Sequence, residues 1–151
     1  MISCWKFCSY EDLSKQELHQ MMVLRQEVFV VEQDCPYQDA DHKDVDSFHL
    51  LGFDGDELRA YLRLVKPDIS YPEMSFGRIV TSAKSRGKGM GKLLMQEGLK
   101  CAYEQYGQKP IRISAQTYLT PFYSSFGFVS VGEEYLEDDI PHIEMLSLPQ
   151  V

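Results

Sequence analysis

Three glycines at alternate positions, Gly87, Gly89 and Gly91, lie within SRGKGMGK, between an apolar stretch and a stretch of helical periodicity. Arg86, Lys88 and Lys92 surround them. The first N–H groups of a helix have no internal partner, and the helix dipole adds positive potential there. Glycines let an anion approach those groups with no Cβ in the way, so the pattern suits a phosphate or pyrophosphate. Two nucleotide motifs are excluded. The P-loop requires glycine where Arg86 stands and Ser or Thr where Leu93 stands, and the dinucleotide fingerprint requires glycine where Lys92 stands.

The remaining elements must position that loop. CWKFC reads as a strand, and SKQELHQMMVLRQEVFVVEQ as a helix whose β-branched tail VFVVEQ could also read as strand. DCPYQDADHKDVDS reads as a loop. FHLLGF and LRAYLRLV form a hairpin about Asp54-Gly55, and SFGRIVTS is a further strand. From Gly89 to Tyr106 a helix carries Met90, Leu94, Gly98 and Cys101 on one side, with Met95, Leu99 and Ala102 beside them. Gly107 caps it and Pro110 forbids its extension. IRISAQ is a strand, LTPFYSSF a short helix, and FVSV and HIEMLSL are two closing strands. The order β-α-β-β-β-α-β-α-β-β describes an α/β domain with a mixed sheet and helices on both faces.

Composition narrows the function classes. The 151 residues suffice for one domain, taken here as 1–151, and 44% hydrophobic with 25% charged residues is globular composition. A net charge of −8 argues against general affinity for nucleic acid or an anionic membrane. No apolar run approaches the roughly 20 residues of a spanning helix, and MISCWKFCSYED lacks the features of a secretory signal. Four cysteines without CxxC pairs fit reduced thiols in a cytoplasmic protein. The loop DADHKDVD invites a calcium reading, but Lys43 and Asp44 fill the fifth and sixth places of an EF-hand pattern, so no metal is expected. It reads as a solvated loop or as an acidic rim for a cationic amine.

Arg86-x-x-Gly89-x-Gly91 after a strand resembles motif A of the GCN5-related N-acetyltransferase (GNAT) superfamily. SAQTYLTPFYSSFGFVSV is similar to that superfamily's closing strand-helix-strand. LRQEVFVVEQDCPYQDAD and EEYLEDDIPHIEM further resemble the ElaA-type branch. The resemblance implies a mixed, mostly antiparallel sheet of six or seven strands. It also implies acetyl-CoA as co-substrate and direct transfer of the acetyl group to a primary amine, in a monomer or homodimer. The backbone of Gly87, Lys88, Gly89, Met90, Gly91 and Lys92, with Arg86, would hold the pyrophosphate. Ile79, Val80 and Thr81 would bond the pantetheine arm as a surrogate strand. Gln116, Phe122 and Tyr123 would complete the coenzyme site, with Phe126 flanking it or in the core. Tyr123 would protonate the departing thiolate, since a phenol with pKa about 10 keeps its proton at neutral pH. The cysteines lie outside both motifs, which argues against a covalent route.

The general base is less defined. RIVTS and IRISAQ contain no carboxylate, leaving an ordered water, Glu32, His42, His49 or His142. His142 is favoured because its strand would neighbour the coenzyme's thiol end. An acyl-CoA sensor without turnover is the competing reading.

Overall fold

The computed structural model describes residues 1–148; residues 149–151 of the expected domain lie outside the described residues. Seven strands form one sheet: β1 (Cys4–Ser9), β2 (Ser47–Asp54), β3 (Glu57–Val65), β4 (Met74–Thr81), β5 (Ile111–Gln116), β6 (Phe128–Glu137) and β7 (Ile140–Ser147). Their spatial order is β1-β2-β3-β4-β5-β7-β6, antiparallel except where β4 meets β5. The helices are α1 (Lys15–Arg25), α2 (Met90–Tyr106) and the short α3 (Thr120–Ser124).

Ser14 starts α1 with a reciprocal cap. The Glu17 N–H donates to the Ser14 hydroxyl at 3.0 Å, and the Ser14 N–H donates to the Glu17 carboxylate at 2.8 Å. The β-branched tail does not become a strand. Gln26–Glu32 continues α1 as a wide π-type turn, with Gln33 N–H bonding back to the Val28 carbonyl. Packing overrides propensity here. Val28 joins Met21 and Leu24 against Leu51, Tyr61 and Val80 on one face of the sheet.

Helix α2 covers the other face, where Leu94, Met95 and Ala102 pack with Leu50, Ala60, Leu62 and Leu64. Ala60, Tyr61 and Leu62 thus serve opposite cores in turn, as the two-residue period of a strand requires. Gly98 permits the close approach of α2, because a Cβ there would lie 2.7 Å from a Leu62 methyl.

Strand β6 is longer than the expected FVSV. It runs on to Glu137 because Asp138 and Asp139 both take left-handed φ values, 50° and 61°, and close a two-residue hairpin to Ile140. Asp tolerates that conformation better than most residues.

Two irregularities create the site. β4 and β5 pair only at Met74–Ile111 and Ser75–Arg112, then diverge. Between Tyr61 and Arg63 on β3, two residues of β4, Arg78 and Ile79, oppose Leu62 alone, and Arg78 takes φ 53°. Such a bulge re-aims the strand beside the gap.

Candidate active site

The divergence opens a cleft of about 650 Å³ running from Arg86, at the entry to the glycine loop, through the gap, to the β6–β7 hairpin. Past Ser75, β4 has no ladder partner on the β5 side, so its edge groups face the cleft. Ile79, Val80, Thr81, Arg86, Gln116, Tyr123 and His142 all line it. A smaller recess of about 190 Å³, walled by Ile79, Val80, Thr81, Gly91, Leu119, Phe122 and Tyr123, links the strand edge to the start of α2.

At that start the backbone is bare. Gly87 and Gly89 take φ 77° and 72°, and a Cβ on either would meet nothing within 4 Å. Among the described residues, no N–H from Gly87 to Lys92 finds a hydrogen-bond partner; the first inward bond is Leu93 N–H to the Gly89 carbonyl. The Met90 side chain is buried, so only its N–H is on offer. Lys88 and Lys92 are exposed and form no ion pair among the described residues. Phe122 lies over this first turn, 3.5 Å from where a Gly91 Cβ would stand. Phe126 packs edge-on to Phe122 and against the α2-side core. Arg86 is not free: its two terminal nitrogens fork onto both oxygens of Glu32, the second at 3.0 Å.

Tyr123 is 7% exposed, and burial pushes its phenol up to about 12. Its ring packs edge-on to Phe122 and Phe128, and its hydroxyl bonds to no described residue. A proton is therefore firmly held on an oxygen at the cleft wall.

Of the four candidate bases, the structure brings Glu32 and His142 to the cleft and leaves His42 and His49 outside. His49 is fully buried, bonded to the Tyr61 hydroxyl at 2.6 Å and the Asp44 carbonyl at 2.8 Å, and desolvation lowers its pKa. It is a structural residue. His142 stands opposite Gln116 on β5 and stacks on Tyr135. Its Nδ1 lies 2.7 Å from the Ile140 carbonyl, which can only accept, so Nδ1 carries the proton. Nε2 then presents a lone pair, 3.4 Å from the Glu137 carboxylate.

The acidic loop departs from the expectation of an acidic rim at DADHKDVD. Asp39 and Asp44 are buried, and with Asp41 they neutralise Arg25, Arg63 and Arg78. Arg25, with no exposed side-chain surface, contacts Asp39 at 2.9 Å and Asp44 at 2.7 Å. Arg63 forks onto Asp41 at 2.6 and 3.0 Å. Arg78 meets Asp39 at 3.0 Å and its terminal nitrogen donates to the Asp39 carbonyl at 3.0 Å. Ala40, His42, Val45 and Asp46 are exposed, but Asp39, Asp41 and Asp44 form no rim. They are the acidic half of an ion-pair cluster that holds the bulged residue of β4. Sequence reasoning missed this cluster; its trace was Arg63, a charge in the otherwise apolar LRLV. Also missed were Tyr135, whose hydroxyl bonds the Ser114 hydroxyl, and Glu137.

Among the described residues no group of three His, Cys, Asp or Glu is placed to hold a metal, and no helix is long and apolar enough to cross a membrane.

The model of the acetyltransferase (GNAT) domain family matches residues 8–148. A UPF0039 protein of Synechocystis sp. is 45% identical over 143 residues, covering 94% of this chain and 93% of that protein. Protein ElaA of Escherichia coli is 43% identical, covering 93% and 94%. Among solved structures, an acyl-CoA N-acyltransferase from Pseudomonas aeruginosa superposes with TM-score 0.92 at 43% identity, over 95% of this chain and 98% of that one. The crystal structure of Escherichia coli ElaA gives 0.90 at 42%, over 97% and 99%. A family model that spans nearly the whole chain, and relatives above 40% identity over more than nine tenths of it, show that the chain belongs to the GNAT acetyltransferase family, in its ElaA-like branch.

Proposed function

We propose that this protein transfers an acetyl group from acetyl-CoA to a primary amine by direct attack. The observation that carries the reading is the continuity of three parts across the cleft and its adjoining recess. These are N–H groups over residues 87–92 without a partner among the described residues, a β4 edge at residues 79–81 open on the β5 side, and a buried tyrosine hydroxyl that bonds to no described residue. The solved Pseudomonas relative, an acyl-CoA N-acyltransferase, supports the same reading.

In this reading Gly87 to Lys92 donate N–H groups to the pyrophosphate, and Lys88 and Lys92 add charge. Ile79, Val80 and Thr81 bond the pantetheine arm, and backbone N–H at the bulge polarises the thioester carbonyl. Phe122 and Gln116 border the coenzyme. The acceptor arrives as an ammonium, and His142 Nε2 takes one proton from it, with Glu137 stabilising the imidazolium. The freed amine attacks the carbonyl carbon and the C–S bond breaks. Tyr123 donates its proton to the departing sulfur and recovers one from the new amide nitrogen, so the released proton is the one His142 passes to water. Nothing in this sequence needs a cysteine nucleophile.

The test is a panel of primary amines with acetyl-CoA, reading the free thiol. Turnover with at least one amine is expected, together with a rise in Tm on adding coenzyme A. Tight coenzyme binding with no turnover across the panel would favour the sensor instead.

A further inference from the structure

The carboxylates near the cleft fall into two groups. Asp39, Asp41 and Asp44 are committed to buried arginines and cannot meet a ligand without dismantling the cluster. Glu32, Glu137 and Asp138 line the cleft. Of these, Glu137 faces His142. Glu32 differs from both, because its partner is a residue that an incoming ligand would claim.

Glu32 ends the π-type turn after α1, and Arg86 opens the glycine loop 54 positions later. The guanidinium grips the carboxylate through two parallel contacts. A planar guanidinium takes a phosphate in the same two-toothed way, so the Glu32 oxygens stand where phosphate oxygens would. The rest of the cradle is unoccupied: the N–H groups of 87–92 and the Lys88 and Lys92 ammoniums have no partner among the described residues. Only Arg86 must change partners when an anion docks. Once it does, Glu32 is left as an unpaired carboxylate on the wall of the same cleft, beside Gln33, Cys35 and Tyr37.

We propose that Glu32 is the anchor for a second ammonium of a cationic acceptor, distinct from the reacting one, and is masked by Arg86 until a coenzyme phosphate takes the arginine. This rests on the reading that loop 86–92 seats the pyrophosphate. The exchange makes binding ordered, since the acceptor's anchor exists only after the coenzyme has loaded. It also makes Glu32 a competitor of the coenzyme. By linkage, the factor by which coenzyme strengthens cation binding equals the factor by which the cation strengthens coenzyme binding.

Calorimetry on the whole protein tests this, with coenzyme A and spermidine as probes. Exposed ion pairs are weak, so Glu32→Gln is expected to bind coenzyme A about two- to fivefold more tightly than wild type. Arg86→Gln is expected to weaken coenzyme binding and to erase the Glu32→Gln effect in the double variant. Spermidine is expected to bind the coenzyme-loaded wild type several-fold more tightly than the free protein. Coenzyme phosphates attract spermidine in any form of the protein, so the decisive comparison is the loss of that gain in Glu32→Gln. Coenzyme affinity equal or lower in Glu32→Gln, or the same spermidine gain in both forms, would overturn the proposal while leaving the acetyltransferase reading intact. Wild type that fails to bind coenzyme A would overturn both.

Discussion

The two sides of the cleft are built from opposite materials. The glycine-loop side offers backbone: bare N–H groups, two left-handed glycines and exposed lysines, with almost nothing buried. The loop 37–44 side offers side chains: three aspartates locked against three arginines, two of the arginines 4% exposed or less. The first is open and waits for charge; the second has satisfied its own charge internally. Local charge density is therefore a poor guide to where a ligand docks. An acidic tract binds a cation only if its carboxylates are not already spent, and here they are.

Tyr123 lines both the cleft and its smaller recess, and altering it is expected to have the largest effect. Tyr123→Phe keeps the ring packed on Phe122 and Phe128 but removes the proton donor. Turnover should fall about 100- to 10,000-fold, with coenzyme affinity changed by less than about 1 kcal/mol. Steady-state kinetics beside calorimetry reads both, and unchanged turnover removes Tyr123 from the mechanism.

Next comes the side-chain half. Asp44→Asn leaves Arg25 and Arg63 sharing too little negative charge in a buried place. Breaking a buried pair in this way costs roughly 3–5 kcal/mol, or about 6–20 °C in Tm. The folded variant should still bind coenzyme A, because the glycine loop is separate from the cluster. A loss of coenzyme affinity as large as the loss of stability would break the distinction between the two sides.

The converse experiment is Gly89→Val. A β-branched residue at φ 72° is strained, at an expected cost of about 1–3 kcal/mol. Its Cβ and methyls would stand where an anion must approach, so coenzyme binding should fall at least about tenfold while the unliganded protein stays folded. Full retention of binding would mean the loop is not the cradle.

The smallest effect is one of pH. Burial works against ionisation of Asp41, but its hydrogen bond to Arg63 and the charges of Arg63 and Arg78 outweigh this and hold it at about 2. Asp44 is likewise held low, against burial, by Arg25 and Arg63. Because the folded protein binds these protons less readily than the unfolded chain, their stabilisation is full above about pH 4 and is lost as pH falls toward 2. Wild-type Tm should drop more steeply across that window than the Tm of Asp41→Asn, and parallel curves would remove Asp41 from the cluster's energetics.

The order of elements, the β2–β3 hairpin, the α2 boundaries and the glycine loop were legible in the residues alone. All of these rest on short-range physics: two- and 3.6-residue periods, φ preferences, and helix N–H groups with no internal acceptor. The sequence also pointed to Tyr123, through the resemblance of its strand-helix-strand, and to His142, through the strand that carries it; both line the cleft. The partners were not legible. Whether VFVVEQ became strand or helix was decided by Val28 finding Leu51 and Tyr61 across the sheet. That Arg86 holds Glu32 across 54 positions, and that Asp39 serves Arg25 and Arg78 at once, depends on which charges the fold brings within 3 Å. Ion pairing is non-directional along the chain and decays with distance in space, so only the tertiary structure could assign it.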